Sequence, residues 1–223
     1  MQSKRVALLG GSFDPIHLGH LALAEEALAG MELDAVWFLP AFISPHKSRS
    51  GAGPEDRLAM VRCAIEGQKR FSLCDVEIER GGTSYTYETL EALHALHPGV
   101  EWHWILGLDT FLDFPSWKNH RRIVQLAHLV VAPRPGVENR RVWETLKQLG
   151  ASQKTGPGEI LPAAGEINRF SLEGTGHSVF FLAGPWQDIS STAIRREWAT
   201  NPLIKKMLPP SVVQYIMNHQ LYV

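Results

Sequence analysis

The stretch VALLGGSFDPIHLGHLALAEEAL, residues 6–28, places two glycines, a proline and two histidines between an apolar run and an amphipathic one. Val6–Leu9 is apolar throughout, as a strand covered on both faces would be. Leu18–Ala29 has the apolar spacing of a helix. A strand that feeds a helix through a tight loop opens a doubly wound α/β sheet. Ligands of such sheets bind beyond the carboxyl ends of the strands, where the strand order reverses. The loop Gly10–His20 is therefore the first place to look for a site.

Gly10 and Gly11 allow close backbone approach, and Pro15 fixes one dihedral ahead of the helix. A helix starting near His17 or Leu18 directs free N–H groups and a partial positive charge at whatever lies above it, which suits a phosphate. His17 and His20, three apart, share a helix face, and Gly19 between them leaves room for a ligand. No Gly-Lys-Ser/Thr follows, so the loop is not a Walker motif, and it lacks the GxGxxG dinucleotide pattern. Zinc binding through the two histidines would need further ligands that no Cys/His cluster supplies.

The rest of the chain continues the alternation. Strands are expected at Arg5–Leu9, Ala35–Leu39, Phe71–Ile78, Trp102–Leu106, Leu129–Ala132 and Val179–Leu182. Helices are expected at Leu18–Ala29, Pro54–Glu66, Tyr87–Leu96, Arg121–Ala127, Val142–Leu149, Thr192–Thr200 and Ser211–Asn218. The fold class is α/β: a Rossmann-like, mostly parallel sheet with helices on both faces and a small helical appendage at the end. Residues 1–223 read as one domain, with about 185–223 as a helical subregion. Ala151–Gly176, rich in Gly, Pro, Ser and Thr, reads as an irregular excursion. Arg57 reads as a surface or ion-pair residue.

Hydrophobic residues are 44% of the chain, enough for a sizeable core, and the net charge of -1 gives no reason to expect nucleic acid. No run is long and apolar enough for a signal peptide or a membrane span. Cys63 and Cys74 lie in apolar surroundings without a CxxC pattern, as reduced thiols of a cytoplasmic protein would.

The loop GGSFDPIHLGH resembles that of the His-x-Gly-His nucleotidyltransferases, which transfer a nucleoside monophosphate to a phosphate acceptor and release pyrophosphate. DISSTAIRR, residues 188–196, resembles their second motif, a hydroxyl-rich helix start that presents a basic residue. Four further segments, in the same order, resemble bacterial nicotinate mononucleotide adenylyltransferases: SPHKS (44–48), TSYTYETL (83–90), WILGLDTFLDFPSWKN (104–119) and VVAPRPG (130–136). Ser12 stands where that family often has Thr, and Ile16 where it often has a second proline.

The resemblance implies a set of roles. His17, His20, Lys47 and Arg195 would be catalytic. ATP would lie on Gly10, Gly11, Ser12, Phe13, His17 and His20, on Gly107 and Asp109, and on Ile189, Ser190, Ser191, Thr192 and Arg195. The acceptor, nicotinate mononucleotide, would meet Ser12, His46, Lys47, Thr86, Trp117, Lys118 and Arg134, with Trp117 stacked on the pyridine ring. Mg2+ would arrive with ATP, and no residue is assigned as a metal ligand.

Read without the family, the same residues have plainer roles. Lys47 and Arg134 could be loop charges, Trp117 a core residue, and Thr83–Thr86 and Asp109 helix caps. The alternatives for the whole chain are a related transferase using nicotinamide mononucleotide or phosphopantetheine, a non-catalytic nucleotide sensor, or a zinc hydrolase. A homo-oligomer is possible.

Overall fold

The computed structural model describes residues 3–45, 51–133, 139–152, 160–163, 166–184 and 189–223. Along the chain run β1 (Lys4–Gly11), α1 (Leu18–Gly30), β2 (Ala35–Pro40), α2 (Pro54–Ile65), β3 (Phe71–Leu73), α3 (Val76–Arg80) and α4 (Thr86–Leu96). There follow β4 (Val100–Gly107), α5 (Leu108–Asp113), α6 (His120–Leu126), β5 (His128–Ala132), α7 (Asn139–Gln148), β6 (Ile167–Ser171), β7 (Ser178–Leu182), α8 (Ser191–Glu197) and α9 (Pro210–Asn218).

The strands form one sheet in the order β3-β2-β1-β4-β5-β7-β6. All neighbours are parallel except β6, which runs antiparallel to β7. β1 is central: Leu9 is in register with Phe38 on one side and Ile105 on the other. The connections leave β1 in one direction for β2 and β3, and then return to place β4 on its other flank. The switch point thus lies between β1 and β4, where such sheets bind ligands.

The apolar strands are buried on both faces, as expected. Alternate residues divide between two cores. Ala7, Leu9, Val36, Phe38 and Ile105 pack with α1, α2 and α9. Val6, Leu8, Trp102, Trp104 and Leu106 pack with α4–α7. The helical appendage is sewn into the first core: Val212 and Ile216 of α9 are fully buried, and Tyr215 Oη donates to Asp56 of α2 at 3.0 Å.

Two expectations fail. Phe71–Ile78 is a strand only as far as Leu73, because β3 has just three register pairs with β2. Beyond Cys74 the chain turns into α3, and Glu77 swings to the interior. Ala151–Gly176 is not wholly irregular, since it contains β6. An edge strand paired only with β7 and partly exposed along its length has no long apolar run to announce it.

Candidate active site

The first loop is built around its histidines. His17 is the N-cap of α1, with extended backbone (φ -142°, ψ 171°). Its N–H donates to His20 Nδ1 at 3.2 Å, and His20 N–H donates back to the His17 carbonyl at 2.9 Å. The two rings stack 3.6 Å apart at 25°. A ring nitrogen that accepts a backbone N–H carries no proton, so the His20 proton sits on Nε2, which is left as a donor. Phe13 sets the floor: at φ +48° it holds a left-handed conformation that non-glycine residues rarely adopt, and its ring meets the His20 ring edge-on at 5.0 Å.

The late motif docks onto this loop. Ser190 caps α8 by accepting from Ala193 N–H. Ser191 Oγ donates to the Pro15 carbonyl at 3.0 Å, and Arg195 Nη1 donates to the Asp14 carbonyl at 2.6 Å. Segments some 180 residues apart in sequence are thus tied by two hydrogen bonds. Between them opens a cleft of about 760 Å³ at the switch point.

Most of the expected residues line this cleft. From the first loop come Gly10, Gly11, Ser12, Phe13, His17 and His20, and from the end of β4 come Gly107 and Asp109. Ile189, Ser190, Ser191, Thr192 and Arg195 close one side, and Thr86, Trp117 and Lys118 form the far end. His46, Lys47, Arg134 and Asp188 lie outside the described residues.

The plain alternatives separate here. Asp109 is not a cap, because Gly107 holds that position of α5 and Asp109 falls inside the first turn. Tyr85 is the N-cap residue of α4 and makes no side-chain cap. Trp117 is half-buried: one face rests on Phe114 at 5.2 Å, and the ring also lines the cleft. Lys118 Nζ sits 3.9 Å above the Tyr85 ring, a cation–π seat at the same end. Gly10 serves the core as well as the cleft, since a Cβ there would lie 2.8 Å from Trp104 Cζ2.

Three acidic or basic residues of this region were not legible as such. Arg57, expected as a surface or ion-pair residue, is 1% exposed. Its guanidinium donates to the carbonyls of Ser12 (2.8 Å), Ala41 (2.6 Å) and Phe42 (3.0 Å), and so ties the first loop to the one after β2. Burial pulls its pKa down, and the nearby Asp14 charge opposes that shift. Asp14 is itself 2% exposed and accepts from Gly51 N–H, Ala52 N–H and Tyr222 Oη. Glu77, also buried, accepts from Thr89 Oγ1 at 2.6 Å, and burial raises its pKa. Nothing in their local sequence marks these three, because each acts on segments far from its own.

A second titratable cluster lies at the opposite end of the strands, near the starts of β4 and β5. Glu101 Oε1 is 3.2 Å from His128 Nε2 and 3.6 Å from His103 Nε2. Ser178 N–H donates to His128 Nδ1 at 3.0 Å, which puts the proton on Nε2 facing the carboxylate. The His128–Glu101 contact is therefore closed by a proton. Burial pushes His103 down to about 4 and His128 down to about 3, so both rings are neutral at pH 7.

Comparison with known proteins follows the same lines. The model of the cytidylyltransferase-like family matches residues 8–197. A "Probable nicotinate-nucleotide adenylyltransferase" of Synechococcus sp. (strain JA-2-3B'a(2-13)) is 37% identical, covering 100% of this chain and 98% of that one. Another, from Trichlorobacter lovleyi, is 39% identical, covering 98% and 99%. The chain belongs to the cytidylyltransferase-like family, among its nicotinate-nucleotide adenylyltransferases. The fold agrees: a Plasmodium falciparum nicotinic acid mononucleotide adenylyltransferase complexed with NaAD superposes with a TM-score of 0.72 at 21% identity, over 98% of this chain and 97% of that one. For an adenylyltransferase, the cleft offers imidazole donors and a guanidinium at one end, and an aromatic wall with a lysine at the other.

Proposed function

We propose that this adenylyltransferase moves AMP from ATP to nicotinate mononucleotide, giving nicotinate adenine dinucleotide and pyrophosphate. The observation that carries the reading is the convergence of the His17–His20 stack and Arg195 on Asp14–Pro15 in one cleft. The acceptor phosphate is already anionic near neutral pH, so the protein need not supply a strong base. Its task is to position the two phosphates in line and to stabilise the charge that grows on the α- and β-phosphate oxygens.

His20 Nε2–H and the N-terminal end of α1 would meet those oxygens. Arg195 and Lys47 would hold the departing pyrophosphate. Trp117 would stack on the pyridine ring, with Thr86, Lys118, Ser12, His46 and Arg134 around the acceptor. Asp14 and Glu77, buried carboxylates of the cleft, are already engaged by protein donors. Mg2+ would thus ride on the triphosphate oxygens with mostly water ligands and neutralise their charge. We read the chain as one catalytic unit. No helix of the described residues is long and apolar enough to cross a membrane, and the reading puts the enzyme with its substrates in the cytoplasm.

A coupled pyrophosphate assay with ATP, Mg2+ and matched nicotinate and nicotinamide mononucleotides tests this. Release with the nicotinate acceptor is expected. No release with either refutes the reaction, and equal release with both removes the carboxylate preference.

A further inference from the structure

Tyr222 lies outside the cleft lining, yet the chain bends to deliver it to the first loop. Gln220 (φ +50°) and Tyr222 (φ +63°) both hold left-handed backbone, unusual for residues with side chains. The Tyr222 ring stands edge-on to Trp198 at 6.5 Å, and its Oη donates to Asp14 Oδ1 at 2.7 Å across 208 residues of sequence.

Asp14 is the hub. Oδ1 also accepts from Ala52 N–H at 3.0 Å, and Oδ2 accepts from Gly51 N–H at 2.7 Å and lies 3.5 Å from Arg195 Nη1. Gly51 and Ala52 follow directly on residues 46–50, which carry His46 and Lys47. The fit is close: a Cβ on Gly51 would lie 3.2 Å from Arg195 Cδ and 3.3 Å from the Tyr222 ring. Three segments therefore meet on one carboxylate, and one of them carries Arg195, assigned above to the triphosphate.

We propose that Tyr222 is a positioning residue for the phosphate-side cation Arg195 and acts on it through Asp14. The hydroxyl and the two backbone N–H groups hold the Asp14 carboxylate through both of its oxygens. With the hydroxyl gone, Oδ1 loses a donor, and the carboxylate is free to turn toward the guanidinium 3.5 Å away. A tighter Asp14–Arg195 pair would draw the cation off the triphosphate. Burial, followed by the bond to Asp14, raises the Tyr222 pKa far above the usual tyrosine range, so the hydroxyl remains a donor throughout the working pH range.

The inference rests on the proposed reaction, and wild-type turnover tests that reaction first. The test of the inference is Tyr222→Phe, which keeps the ring and its packing on Trp198, measured alone and in an Arg195→Ala background. Below the melting temperature of every variant, kcat/KM for ATP should fall roughly tenfold in the single variant, while KM for nicotinate mononucleotide stays within about twofold. In the Arg195→Ala background the same substitution should cost nothing further. Direct calorimetry with inorganic pyrophosphate should show the same dependence without turnover. An equal loss in both backgrounds, a loss confined to acceptor KM, no loss, or failure of Tyr222→Phe to fold would each overturn the proposal, the last by making the residue structural.

Discussion

His20 has two jobs in the structure, and two substitutions separate them. Its Nδ1 accepts the His17 N–H at 3.2 Å and so finishes the start of α1, while its Nε2–H is the donor that the proposed reaction assigns to the phosphate oxygens. An asparagine at position 20 offers a carbonyl oxygen near the place of Nδ1 but nothing near Nε2. A glutamine reaches the place of Nε2 with an amide donor but gives up the short acceptor. His20→Asn should therefore keep the helix start and lose the donor, lowering kcat by roughly a hundred- to thousandfold, about 3–4 kcal/mol of transition-state stabilisation. His20→Gln should keep more of the rate and lose the backbone bond. That bond is worth about 1 kcal/mol net, or roughly 2–4 °C of melting temperature in a chain of this size. Steady-state pyrophosphate release and thermal melts on the same preparations read both quantities. Full activity in His20→Asn, or a glutamine variant slower than the asparagine one, would refute the division of labour.

The remaining expectations concern stability. His103 and His128 are neutral in the fold, pushed down to about 4 and about 3 from the ordinary histidine value of 6.5, with burial as the first cause and neighbouring Arg5, Arg169 and His177 opposing the charged forms. Their folded pKa values are lowered, so their contribution is complete above about pH 6.5 and drains away as pH falls and the unfolded chain takes up protons, by up to about 1.4 kcal/mol per pH unit per histidine. Urea melts near pH 7 and near pH 5 should show this, and His103→Leu should make the slope shallower; equal stability at the two pH values would contradict it. Arg57→Met removes the donors to three buried carbonyls and one of the cations near Asp14, at a cost of about 3–5 kcal/mol measured by denaturant unfolding. Gly10→Ala drives a methyl into the Trp104 ring and should cost about 1–3 kcal/mol in the same assay, whereas a neutral result would mean that the ring has room to move.

Much of the site could be read before any fold was known, because its signals are local. Two glycines, a proline and a His-x-Gly-His spacing after an apolar run describe a strand, a turn and a helix start within about twenty residues. The Ser190–Thr192 helix start is equally local, and Ser190 does cap α8. The same locality explains the misses. β3 was drawn too long because the residues after Leu73 suit a strand as well as a helix, and only its short pairing with β2 ends it. β6 went unseen because an edge strand is defined by its partner.

The sequence by itself determined the doubly wound class, the end of the sheet that carries the cleft, and about half of the residues that line it. Runs buried on both faces, helix starts and glycine turns each follow from interactions within a few residues. Tertiary structure alone decided that Arg57 turns inward to three carbonyls, that Glu77 is buried against Thr89, and that Asp14 gathers donors from Gly51, Ala52 and Tyr222. A buried charge persists only where partners from distant segments satisfy it, and no stretch of sequence announces which segments packing will bring together.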